Sequence, residues 1–200
     1  LREQAIDWTN VTVVPSDERD VPPDHTDRNE GMIRRELLQG PAAAARLVSL
    51  IPPGEIPERF HAVVLGMGVD GHTASLFPSS PDLQAALESY DALHRLSVPG
   101  LEADRVSLTP RALLSSRRID LLFFGEEKRA VFEQAARPGG PADLQRSLVT
   151  DQADATLWIP RGYAADLAAG RPAYGSAVVK GGEIVHQVKA GNFKRAAGIR

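Results

Sequence analysis

Two regimes alternate along this chain: short continuous apolar runs, and longer stretches of helical composition. Residues 11–14 are a β-branched run closed by Pro15, which predicts a strand that stops there. Residues 62–65 and residues 119–124, the latter ending at Gly125, have the pattern of strands buried on both faces of a parallel sheet. Residues 94–98 and 105–108 are weaker strand candidates, and residues 156–159 are another. Residues 29–39 and 42–50 are rich in Ala, Leu and Arg and are split by Gly40-Pro41, which predicts two helices. Residues 126–136 predict a helix whose acidic first turn suits the helix dipole, and residues 164–169 repeat the strand-then-helix order. The alternation argues for an α/β class fold: a doubly wound, largely parallel sheet with flanking helices.

The end of the chain is patterned differently. Residues 177–180 and 183–188 alternate about Gly181-Gly182, a hairpin signal, and residues 189–200 are basic and Gly/Ala-rich, as in a frayed end. Pro52-Pro53-Gly54 and residues 138–141 read as loops, so residues 1–200 are expected to be a single domain with an atypical tail over residues 171–200. The opening stretch, Leu1 to Trp8, reads as the end of a helix already under way, which predicts further residues upstream.

Composition narrows the class. Two hundred residues are about one domain, and 23 Lys+Arg against 26 Asp+Glu give a net charge of −3, too mild to predict a nucleic-acid or membrane partner. No apolar run approaches the ~18 residues of a membrane span. Zero cysteines exclude disulfides, thiolate metal sites and a cysteine nucleophile, and fit a reducing, cytoplasmic setting.

Gly66-Met67-Gly68-Val69-Asp70-Gly71 formally matches the dinucleotide fingerprint G-x-G-x-x-G after a strand. Three features weigh against that reading. Pro78 cuts short the helical stretch at residues 72–77; Asp82, Glu88 and Asp91 do not close a following strand; and a histidine after the last glycine has no part in cradling a pyrophosphate. No cofactor is therefore expected. Asp70-Gly71-His72 at the carboxyl end of a central strand instead suggests a proton-transfer site, where open α/β sheets place their ligand crevices. The plain alternative is a His72 that caps a short helix while Asp70 satisfies turn amides. His25, His61, His94 and His186 lack metal-ligand spacing, and no metal is expected.

Leu65-Gly66-Met67-Gly68-Val69-Asp70-Gly71-His72-Thr73-Ala74-Ser75-Leu76-Phe77-Pro78 resembles the signature of the 6-phosphogluconolactonase family, lactone hydrolases of the pentose phosphate pathway. Asp17-Glu18-Arg19 with Val21-Pro22 and Asn29, then residues 105–109, then Gly125-Glu126-Glu127-Lys128, resemble its further motifs in order, from about Trp8 to about Pro160. The superfamily includes glucosamine-6-phosphate deaminase/isomerase, whose Asp-Gly-His is followed by a catalytic Glu; here no Glu lies between Asp70 and Glu88. The family's opening strand and Gly-Gly-x-Thr-Pro phosphate loop have no counterpart, so the resemblance implies that a first βα unit of ~30 residues is missing. It also implies hydrolysis of a sugar-phosphate lactone by a monomer or weak homodimer. The alternatives are a deaminase/isomerase-like enzyme, a dinucleotide-binding module or an inactive fragment.

On that resemblance His72, Asp70 and Arg19 are the catalytic candidates, with His72 as general base and Arg19 on the lactone oxygens or the developing oxyanion. Asp17, Asn29, Gly66, Gly68, Arg105 and Lys128 are the substrate- or phosphate-binding candidates, Arg105 gripping phosphate bidentately and Lys128 as a point charge. Each has an ordinary alternative: Arg19 in a surface ion pair with Glu18 or Asp20, Arg105 as a solvated strand residue, Asp17 and Asn29 as turn caps. Lys128 is the odd one, because a cation in a helix's first turn is disfavoured unless an anion lies near.

Overall fold

The computed structural model describes residues 1–116, 119–135, 155–159, 175–180 and 183–188. Among these the strands form three sheets. The largest has the order β10-β9-β8-β7-β4: β4 (Val63–Leu65), β7 (Ile119–Leu122) and β8 (Ala155–Ile159) run parallel, and β9 (Gly175–Lys180) and β10 (Glu183–Val188) continue it antiparallel. Leu65 stands opposite Leu121, so the segments leaving β4 and β7 depart from the same edge of the sheet. A three-stranded antiparallel sheet places β6 (Arg105–Leu108) between β2 (Asp17–Arg19) and β5 (Leu93–Leu96). The third sheet is the parallel pair β1 (Thr12–Val13) and β3 (Arg46–Leu47). Helices α1 (Asn29–Glu36), α2 (Leu83–Glu88), α3 (Pro110–Leu114) and α4 (Glu126–Ala135) intervene, which makes the architecture α/β as expected.

One hydrophobic core joins the two larger sheets. Val63 and Leu65 of β4 and Ile119 and Leu121 of β7 meet Leu96 and Leu108 of the antiparallel sheet, with Leu83, Leu113 and Phe132 arriving from α2, α3 and α4. Each such side chain contributes about 1.5–3 kcal/mol on burial. Met67 and Leu76 belong to the same core and bracket the glycine turn between them, so that turn is pinned at both ends by apolar packing.

Several expectations need correction. Residues 42–50 are not a helix: Gly40, at a φ of +57°, and Pro41 open a short 3-10 turn, Gly40–Ala44, and the chain then becomes β3. Arg46 and Val48 donate their N–H groups to the carbonyls of Val11 and Val13, so strand pairing overrides the local alanine preference. The helix expected over residues 29–39 stops at Glu36. Residues 72–77 form turns, with Ala74 at a φ of +49°, and no helix follows Gly71 before Leu83. The glycine turn therefore does not open onto a helix N-terminus as a dinucleotide cradle does. β4 is not buried on both faces, since Val64 is 63% exposed while its neighbours Val63 and Leu65 are buried, whereas β7 is buried from Ile119 through Leu121. Leu122 and Phe124, at the end of that run, are exposed.

The strand expected over residues 11–14 is β1, and a further strand that the pattern does not show, β2, follows Pro15 and pairs with the distant β6. Lys180 stands opposite Glu183 in the terminal hairpin. The expected helix at residues 164–169, the frayed end at 189–200, the loop at 138–141 and Arg117-Arg118 lie outside the described residues, as do Ala136 and Gly181-Gly182.

Candidate active site

The turn leaving β4 is built by its own backbone. Gly71 donates its N–H to the Gly68 carbonyl, and Gly68 donates to the His72 carbonyl at 2.9 Å. Gly71 has a φ of +86°, a conformation that favours glycine. This brings the His72 Nδ1 to 2.6 Å from an Asp70 carboxylate oxygen, which also accepts the His72 N–H at 3.3 Å. An ionised carboxylate can only accept, so in the neutral imidazole Nδ1 carries the hydrogen and Nε2 the lone pair. The Phe77 ring stacks on the imidazole with centroids 3.9 Å apart. The His72 side chain remains 27% exposed, so the base is fixed on one side and open on another. A methyl on Gly68 would overlap both the imidazole and the Asp70 carboxylate, whereas one on Gly66 meets nothing within 4 Å. Space therefore demands glycine at Gly68 and not at Gly66.

The cationic group is assembled on the antiparallel sheet. Asp17 pairs with Ser107 and Arg19 with Arg105 across β2 and β6, and residues two apart on a strand share a face. Arg19 donates through one guanidinium nitrogen to the Asp27 carbonyl at 2.9 Å and to the Asn29 Oδ1 at 2.8 Å, and Asn29 donates to the Asp17 carbonyl. Burial first, and then the neighbouring Arg19 charge, push Arg105 below the ordinary arginine range. Arg105 also donates to the carbonyls of Ala103 and Asp104. The charges of Asp17, Asp27 and Asp104 oppose the lowering of the Arg105 pKa without cancelling it, so the two guanidinium groups remain a repelling pair.

The ordinary alternatives fare unequally. Arg19 does not pair with Glu18 or Asp20, because Glu18 meets Arg28 and Asp20 meets Arg95. Asn29 is not a cap; its side chain is spent on Arg19 and Asp17. The Asp17 carboxylate is engaged by the hydroxyls of Ser16 at 2.8 Å and Ser75 at 2.7 Å. Asp17, Arg19, Asn29 and Arg105 are thus brought together, and Asp70 with His72. Lys128 stands in the first turn of α4, off the same sheet edge as the His72 turn, but makes none of these bonds.

Two contributors carry no signal of their own in the sequence. Glu18, fully buried, accepts the N–H groups of Arg19, Asn29 and Glu30 at 2.7–2.9 Å and so caps the start of α1 from a different element. Ser75, 1% exposed, sits inside the turn motif yet reaches Asp17, 58 positions away. Among the described residues no His, Asp and Glu side chains cluster to hold a metal ion, and no helix is long and apolar enough to cross a membrane.

Comparison with known proteins bears on this geometry. The profile of the family described as glucosamine-6-phosphate isomerases/6-phosphogluconolactonase matches residues 1–59 and 42–158. The 6-phosphogluconolactonase of Pseudomonas aeruginosa is 39% identical over 153 residues, 68% of this chain and 64% of its own length, so this chain spans less than two thirds of that relative. The Pseudomonas putida enzyme of the same name is 36% identical over 178 residues, covering 80% of this chain and 73% of its own. A 6-phosphogluconolactonase crystal structure from Shewanella baltica superposes with a TM-score of 0.68 at 31% identity, over 78% of this chain and 75% of that one.

Proposed function

The chain belongs to the glucosamine-6-phosphate isomerase/6-phosphogluconolactonase family, and on that premise we propose that it hydrolyses 6-phospho-D-glucono-1,5-lactone to 6-phosphogluconate, with His72 activating the water. The observation that carries the proposal is the Asp70–His72 pair, 2.6 Å apart, at the carboxyl edge of the parallel sheet. The Nε2 of His72 takes a proton from water as the oxygen attacks the lactone carbonyl, a role worth about 10²–10⁴ in rate. Asp70 keeps the ring in the right tautomer and offsets the imidazolium charge. Arg19 stabilises the negative charge that develops on the carbonyl oxygen. The tetrahedral adduct collapses by breaking the ring C–O bond, and the imidazolium returns its proton to the departing oxygen.

Arg105, with Lys128 from the neighbouring strand end, meets the phosphate dianion, whose charge offsets the repulsion between Arg105 and Arg19. The substrate is thereby anchored at one end and attacked at the other, with no cofactor required.

A deaminase of the same family would need a carboxylate beside the histidine turn, and no Glu lies between Asp70 and Glu88. Supplying the lactone enzymatically in situ and comparing acid release with the uncatalysed rate tests the proposal, with ammonia release from glucosamine 6-phosphate run in parallel. Acid release above background without ammonia is the expected result. Ammonia release without lactone hydrolysis contradicts it.

A further inference from the structure

We infer that Ser75 is a positioning residue, a latch that sets the distance between the His72 turn and the strands carrying Arg19 and Arg105. The inference rests on the hydrolase reading above. Ser75 is 1% exposed and lies three residues after the imidazole. Its hydroxyl donates to the Asp17 Oδ2 at 2.7 Å, and its backbone N–H donates to the Ser107 Oγ at 3.2 Å. Ser107 is itself fully buried, and its hydroxyl donates onward to the Leu108 carbonyl at 3.0 Å.

Those two contacts land on both partners of one cross-strand pair, Asp17 opposite Ser107. The next pair on the same face is Arg19 opposite Arg105, two residues or about 7 Å along the strands. One serine therefore ties the base-bearing turn to the rung beside the arginine pair, with both of its polar groups satisfied. Ala74, just before it, holds a positive φ of +49°, a conformation that costs a non-glycine residue energy and persists where surrounding contacts hold it.

The chemistry fixes what the latch affects. Arg19 keeps its anchors on Asp27 and Asn29, and Arg105 its bonds to the Ala103 and Asp104 carbonyls, so both still grip the substrate without Ser75. The imidazole turn keeps only its N–H bond to Ser107, and a small error in the base's placement acts on the chemical step.

The test is Ser75→Ala, with kcat and KM for the lactone measured separately and the fold checked by near-ultraviolet circular dichroism. Loss of one buried hydrogen bond predicts a kcat lowered about tenfold, with KM held within about twofold. A wild-type kcat, or a raised KM at unchanged kcat, overturns the inference. Should Ser75→Ala fail to fold, Ser75→Cys, near in size but a weaker donor, must show the same split; wild-type behaviour there overturns the latch equally. A wild-type chain that hydrolyses no lactone rejects the functional reading and the latch with it, whereas an active wild type beside an indifferent Ser75→Ala rejects the latch alone.

Discussion

A methyl on Gly68 would overlap the His72 ring and the Asp70 carboxylate, whereas one on Gly66 meets open space. Two glycines in one turn thus make different demands. Gly68→Ala is expected to displace the imidazole and lower kcat by roughly tenfold or more, as a base moved by about an ångström does. Gly66→Ala is expected to leave the Asp70–His72 contact in place, which the His72 ring resonances in an NMR spectrum would report. Asp70→Asn offers an amide where a carboxylate accepted, so the wrong tautomer becomes available and kcat falls by roughly tenfold or more with little change in KM. Steady-state kinetics of the two variants side by side separates displacement of the ring from loss of its orientation.

At the scale of elements, Glu18 holds more than its half-buried neighbours do. Its buried carboxylate receives three backbone N–H groups and faces Arg28, itself 3% exposed, at 3.6 Å. Glu18→Ala uncaps α1 and takes the acceptor from three backbone N–H groups, while Arg28 keeps Glu30 at 3.2 Å, and a loss of about 1–3 kcal/mol is expected from urea unfolding. This contact also marks where the sequence stops being legible. The parallel strands were readable because β4 and β7 are apolar runs long enough to show. Asp17-Glu18-Arg19 was not readable as a strand: three polar residues after a proline show no period, and their partner lies on β6, nearly 90 positions on. Once β2 is known to pair with β6, the placement of Asp17, Arg19, Arg105 and Ser107 on one face follows from strand geometry alone. Residues 42–50 failed for the opposite reason, because alanine-rich composition favours helix and only the distant pairing with β1 reverses it. The Asp70–His72 pair was legible, since it needs only a tight glycine turn, while Ser75 was visible in the motif but not its reach to Asp17.

At the scale of the whole molecule, the mild net charge of −3 conceals a close pair of like charges, Arg19 and Arg105, set among the carboxylates of Asp17, Asp27 and Asp104. Burial and that like charge lower the Arg105 pKa, which means the fold penalises its charged form; the guanidinium still stays protonated at neutral pH in folded and unfolded chains alike. The penalty therefore shows little pH dependence near neutrality, and an anion relieves it. Inorganic phosphate at ten times its Kd is expected to stabilise the chain by about 1.4 kcal/mol, read as a raised Tm against sodium chloride of equal ionic strength. Arg105→Ala should remove that increment. An equal increment in the variant would place the phosphate elsewhere.

The most direct test of the central claim is the initial rate of acid release from the lactone, generated in situ, by the wild-type chain and by His72→Ala at matched folded concentration. The proposed mechanism predicts a loss of about 10²–10⁴ in kcat, down toward the spontaneous rate, with circular dichroism unchanged. A folded His72→Ala variant that turns over like the wild type would contradict it.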